Sequence, residues 1–212
     1  MKLFAYVILA LLVPAANVIA GVEDDVAEVR QAWERIRYEL PASQQEQALE
    51  KLARKAESVM GAYPASAEAA IWHGIVEASY AGAKGGLGAL AAAKAARKSL
   101  EQALALDPNA LQGSAYTSLG TLYYQVPGWP IGFGDDKKAL ELLRRGLALN
   151  PDGIDPNYFH GDYLYRTGDY EGAEAALGKA LQAPPRPGRQ LADEGRRKEA
   201  QELLKKVREK KR

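Results

Sequence analysis

Apolar residues along this chain recur at steps of three and four. From Val22 to Leu40 they fall at Val22, Val26, Val29, Trp33, Ile36 and Leu40, which is one face of a helix. Pro41 ends that run. Ser43 and Glu46 then make an S-x-x-E pattern, read as a capping box that opens a second helix reaching about Met60. Gly61 and Pro64 close it. Three further helix pairs emerge when the chain is aligned on Pro108, Pro151 and Pro185. Before each proline the same turns hold small or branched residues: Ala96, Leu100, Ala103; Ala139, Leu143, Gly146; Ala173, Leu177, Ala180. A short side chain at those turns lets neighbouring helices touch. The first helices of the pairs align on Gly74, Gly120 and Gly161.

The last pair is the most regular. Gly161 allows two helices to approach, Gly168 turns the chain, Tyr170, Ala173, Leu177 and Ala180 form a buried stripe, and Pro185 stops the helix. The middle pair carries Tyr116, Leu119, Gly120 and Tyr123, close to a W-L-G-Y pattern. These positions resemble the tetratricopeptide repeat (TPR) over roughly Ser66 to Pro185, with Val22 to Tyr63 as a degenerate first repeat. The resemblance implies an all-α fold: a right-handed TPR-like superhelix of about four antiparallel helix pairs plus a C-terminal capping helix. That helix, about Leu191 to Arg208, is expected to turn Ala200, Leu203, Leu204 and Val207 inward.

Two pairs depart from the standard spacing. Extra residues fall in Ala81 to Gly88 and in Val126 to Asp135, and insertions at equivalent points of successive repeats emerge on one edge of a solenoid. The first is read as a flexible glycine turn; it follows a helix and lacks the ending of a phosphate loop. Asp135 stands where a helix N-cap is wanted. Trp129 and Phe133 in the second insertion are costly to leave in water, so they are expected to cover something, either as a lid over the groove or as packing on the adjacent helix pair.

Composition narrows the setting. Lys2, the apolar run Leu3 to Val13, Pro14 and the small-residue stretch ending Val18-Ile19-Ala20 read as a secretory signal peptide at 1–20, cleaved after about Ala20. The reading divides the chain into that peptide, a repeat domain at 21–189, and a basic capping helix at 190–212. A periplasmic location follows as an expectation; an uncleaved anchor is the alternative. The chain has no cysteine, so neither disulfides nor a lipobox are available and stability must come from packing. With 28 basic and 27 acidic residues the chain is near neutral, and nothing calls for a nucleic-acid partner. The basic C-terminus, Lys205 to Arg212, favours a helix end by itself and makes an anionic membrane surface a candidate contact.

A second resemblance rests on Pro127 to Asp135, Leu149 to Asp162 and Ala183 to Arg189. These segments are similar to exported bacterial TPR proteins of the kind found as the T-component of TRAP transporters. The resemblance implies helical hairpins that associate with a periplasmic solute-binding protein, with hydrophobic ligands suggested. The missing lipobox cysteine departs from that pattern.

Repeat arrays of this kind bind with the concave face lined by first helices. Counting from the repeat glycines places Ile71, Thr121, Tyr124, Tyr158, Asp162, Tyr165 and Arg166 on that face. Aromatic rings beside one Arg and one Asp suit a peptide, or a small amphiphile whose carboxylate pairs with Arg166; packing between repeats is the other reading of the tyrosines. His73 and His160 occupy equivalent positions and are expected as satisfied, half-buried imidazoles, since two ligands do not make a zinc site. No cofactor is expected. Without cysteine and with two histidines, a nucleophile and base have little to be built from. The sequence therefore favours a non-catalytic groove-binding adaptor of a protein, peptide or small ligand. Its rival is a cell-envelope assembly scaffold acting through the insertions, and an enzyme comes third.

Overall fold

The computed structural model describes residues 15–212, with side chains described from Gly21 onward. Most of the predicted signal peptide, 1–14, lies outside the described residues. Helix α1 (Ala15–Tyr38) runs through the predicted cleavage point. It is followed by α2 (Ala42–Ala62), α3 (Ala67–Lys84), α4 (Ala89–Leu106), α5 (Ala110–Gln125), α6 (Asp136–Leu149), α7 (Ile154–Thr167), α8 (Tyr170–Gln182) and α9 (Gln190–Lys210). Among the described residues there is no strand, and no helix is long and apolar enough to cross a membrane.

The predicted pairs are α3–α4, α5–α6 and α7–α8, each an antiparallel hairpin. Their close crossings repeat one contact three times. A Cβ on Gly74 would stand 2.6 Å from Leu100 Cγ, one on Gly120 2.9 Å from Leu143 Cγ, and one on Gly161 2.8 Å from Leu177 Cγ. Only glycine admits the partner leucine at that depth. Ala96, Ala139 and Ala173, one turn away on the second helices, are fully buried.

Pattern alone misreads some of the local signals. The box at Ser43 and Glu46 does not form: α2 starts at Ala42 behind Pro41, with no side-chain cap. The join is held instead by Gln45, whose amide donates to the carbonyls of Leu40 and Arg37 at 3.0 and 3.3 Å. Ser66, Asp135 and Asp169 do cap α3, α6 and α8. The first half of the first insertion is added helix, because α3 continues through Gly82 to Lys84. It breaks only where Gly85 and Gly86 take φ of 63° and 59°. The second insertion is a true loop, residues 126–135. At the start of α5, Leu111, Gln112 and Gly113 form a left-handed turn, a conformation that costs about 1–2 kcal/mol per non-glycine residue. Gly113 lies against Leu149 there.

Helix α9 does more than cap the last pair. Ala200, Leu203, Leu204 and Val207 are buried against α8, as the pattern predicts. Its other side touches α7 and also α1. Successive first helices already contact one another, α1 with α3, α3 with α5, α5 with α7. The α9–α1 contact therefore closes α1, α3, α5, α7 and α9 into an inner ring, with α2, α4, α6 and α8 outside.

Candidate functional site

The inner faces of α5 and α7 build the first part of the site. On α7, Tyr158, Asp162 and Arg166 are four residues apart and share one face. Tyr124 of α5 donates its hydroxyl to Asp162 Oδ2 at 2.7 Å. Arg166 Nε donates to the same oxygen at 3.3 Å, and its guanidinium lies 5.2 Å from the centre of the Tyr124 ring. Burial, then the Asp162 carboxylate, push the Tyr124 phenol well above its usual pKa, so it remains a donor. Asp162 is tucked in, whereas the Arg166 side chain is 52% exposed. The result is one cation on a tyrosine platform, fixed by a carboxylate and presenting free N–H groups.

The other predicted groove residues go elsewhere. Ile71 is fully buried, because α3 is wrapped by α1, α2, α4 and α5; it is core and lines no groove. Thr121 is half-buried and donates its hydroxyl to Thr117 O at 2.9 Å. Tyr165 turns to Tyr170 of α8, with ring centres 5.9 Å apart, and is half-buried against the core of the last pair. Tyr158 lies under Arg196 of α9, the guanidinium 4.6 Å from its ring, and so faces no open hollow. The insertion aromatics separate as well. Phe133 packs edge-on to Tyr123 at 5.5 Å beneath the Arg97 guanidinium at 4.5 Å. Trp129 is 90% exposed and covers nothing, contrary to expectation.

A charged cluster that sequence reasoning missed joins α9 to the inner helices. Arg196 is buried against Tyr158 and Phe159, and it donates to Asp155 at 2.8 Å and Glu199 at 2.6 Å. Arg186 bridges Asp155 and Asp193, both at 2.7 Å. Arg189 pairs with Glu34 of α1 and lies over Trp72, while Arg37 of α1 pairs with Glu199. Burial alone would raise the Asp155 pKa, but Arg196 and Arg186 outweigh it and hold the carboxyl well below its usual range. A signal was present: Asp193, Arg196, Ala200, Leu203 and Val207 form one stripe at helical spacing. Charged members of a buried stripe need charged partners.

His73 is buried, not half-buried. Its Nδ1 meets Ser99 Oγ at 2.7 Å, and its Nε2 has no hydrogen-bond partner. Glu77 stands 3.7 Å from that nitrogen. The pair of imidazole and hydroxyl is sealed between α3 and α4, with both residues buried, so no substrate reaches it. Burial lowers the His73 pKa against an opposing push from Glu57, and burial with Arg144 lowers that of His160. The unfolded chain then binds protons that the folded chain refuses. Stability is complete above the ordinary histidine pKa of about 6.5 and falls as the pH drops below it. Melting temperature is expected to decrease from about pH 7.5 to about pH 5.5, and less steeply in His73→Leu. Glu77, raised by burial and Glu57, acts in the opposite sense from its ordinary carboxylate range upward. The difference between parent and variant isolates the histidine.

Comparison with known proteins bears on the architecture. Residues 154–187 match the tetratricopeptide repeat family, which is α7, α8 and the turn after them. The fold is a TPR-like superhelix. A crystal structure of a thermophilic TPR protein from Thermus thermophilus superposes with a TM-score of 0.56 at 20% identity, covering 89% of this chain and 91% of that chain. A crystal structure of MamA has a TM-score of 0.45 at 22% identity, over 79% of this chain and 91% of that one. No curated protein matches the chain. The T-component resemblance gains nothing from these matches. What this TPR-like superhelix adds to the repeat is the ring-closing α9.

Proposed function

We propose that this chain is a non-catalytic adaptor that binds a protein or peptide partner on the open part of its inner wall, at Tyr124, Asp162 and Arg166. TPR-like superhelices are scaffolds for protein interaction, and their activity is a matter of the surface they present. The observation that carries the reading is the exposed Arg166 guanidinium, held in place by Asp162 and stacked by Tyr124. A pre-oriented guanidinium on an aromatic platform recognises a carboxylate with little ordering cost. The finer reading is an exported protein serving a TRAP-type transporter, with a periplasmic solute-binding protein as the partner; it is supported by the loop segments around Pro127, Asn150 and Pro185.

The test is crosslinking in intact cells from a photoreactive group at position 121. Arg166→Ala with Tyr124→Phe is expected to reduce the crosslinked partner roughly tenfold, a loss typical of removing an interface anchor, while helix content stays unchanged. An undiminished crosslink moves the binding surface away from this wall.

A further inference from the structure

We propose that the edge of the solenoid carrying the turns within each helix pair docks on an anionic lipid surface, with Trp129, Ile131 and Leu87 entering the interfacial layer. Trp129 is 90% exposed, Ile131 56% and Leu87 81%, the three most exposed large apolar side chains among the described residues. All three sit in turns within a pair, Leu87 between α3 and α4, the others between α5 and α6. Helices α3 and α5 run parallel and touch. Packed helices lie about 8–10 Å apart, so the two turns stand side by side on one edge.

The loop that offers Trp129 is a rigid mount. Gly134 N–H donates to Pro127 O at 2.9 Å, Gly132 N–H to Gly128 O at 3.0 Å, and Asp135 N–H to Tyr123 O at 2.9 Å. A Cβ at Gly132 or Gly134 would collide with the carbonyls of Pro127 or Val126. Phe133 anchors the loop against the core beneath Arg97. The backbone that carries Trp129 is therefore held in place, and little ordering of the loop remains to be done on contact.

The same edge is where α9 ends. Arg208 and Lys211 pair with Glu174 near the start of α8, which places the end of α9 beside the α7–α8 turn. Beyond that pairing, Lys205, Lys206, Lys210 and Arg212 are exposed and make no ion pair among the described residues. Of the acids on this edge, Asp136, Glu171 and Glu209 are exposed, and the other three are engaged. Asp135 and Asp169 accept from helix N-terminal amides, and Glu174 is held by two cations. At the foot of the Trp129 loop, Lys138 leans over Tyr123 at 4.5 Å. Exposed tryptophan and aliphatic tips beside unpaired cations match the interfacial layer of a bilayer, where amphipathic rings sit at headgroup level and each basic residue adds attraction to anionic lipid. A protein partner of ordinary size needs a contiguous patch of about 800 Å² with a buried centre. Separate tips on a rim suit a fluid plane better.

The other two tryptophans, Trp33 and Trp72, are buried, so the difference in emission between the parent and Trp129→Phe reports Trp129 alone. Adding phosphatidylglycerol-containing vesicles to the full chain is expected to shift that emission to the blue and protect it from acrylamide, while phosphatidylcholine vesicles do neither. Trp129→Ala with Ile131→Ser is expected to weaken sedimentation with the anionic vesicles roughly tenfold. Lys205→Ser with Lys206→Ser, or salt at about 1 M where charges are screened beyond about 3 Å, should weaken it too. Vesicle binding that leaves Trp129 open to acrylamide overturns the proposal and assigns the binding to another segment. Protection of Trp129 only inside a crosslinked protein complex overturns it in favour of a protein partner.

Discussion

Arg196→Ala is expected to destabilise the fold by about 3–5 kcal/mol, the range for breaking a buried ion pair from one side. The side chain is buried. It donates to Asp155 and Glu199 and fills the space against Tyr158 and Phe159, so its removal leaves a cavity as well as carboxylates short of a partner. Asp155 keeps Arg186 and Glu199 keeps Arg37, which points to the lower end of the range. Denaturant unfolding at neutral pH measures this loss, and a change under about 1 kcal/mol, the level of an exposed pair, would show that α9 is not seated. The effect has a pH signature. Asp155 is depressed, so its contribution is fully present above the ordinary aspartate pKa of about 3.9 and lost only as the pH falls below it. The parent and Arg196→Ala should keep a constant separation from about pH 5 to pH 8 and converge in acid.

What the sequence discloses and what it hides divide along contact range. The glycines at 74, 120 and 161 are legible because a repeat imposes the same crossing each time, and each meets the leucine the alignment assigns to it. Ile71 sits at the groove position of its repeat yet is core, since four helices surround α3 and periodicity within one helix does not count its neighbours. The Ser43 and Glu46 pattern loses to Pro41, whose extended conformation starts α2 earlier. Trp129 is bulky and apolar and reads as something that must be covered; the hydrogen bonds within its loop hold it outward, and composition carries no trace of that. The α9–α1 closure joins residues as far apart as Arg37 and Glu199. Its one local mark is the pair of charges in an otherwise apolar stripe. For the candidate site, Tyr124, Asp162 and Arg166 do converge, because spacing along α7 and the α5–α7 contact are both properties of the repeat.

Gly195→Leu separates ring closure from simple capping because the two give opposite signs. Gly195 lies inside α9. In a helix that met only α8, exchanging glycine for leucine would stabilise by nearly the helix-propensity difference, roughly 0.5–1 kcal/mol. Here a Cβ at this position would come within 2.1 Å of Tyr38 Cδ1 and 2.6 Å of Cγ, atoms at the root of the ring that no rotation of its tip can clear. Tyr38 is itself confined by Trp33, edge-on at 5.9 Å, and by the guanidinium of Arg37 at 5.6 Å. The leucine must therefore push α9 away from α1, costing about 1–3 kcal/mol as other overpacked sites do and drawing Arg189 off Glu34. Cleavage by trypsin after Arg189, half-buried in the parent, should accelerate in Gly195→Leu while the α3–α8 hairpins stay resistant. An unchanged or raised melting temperature with unaltered cleavage would mean that α9 stands clear of α1 and that the inner wall is an open groove along its whole length.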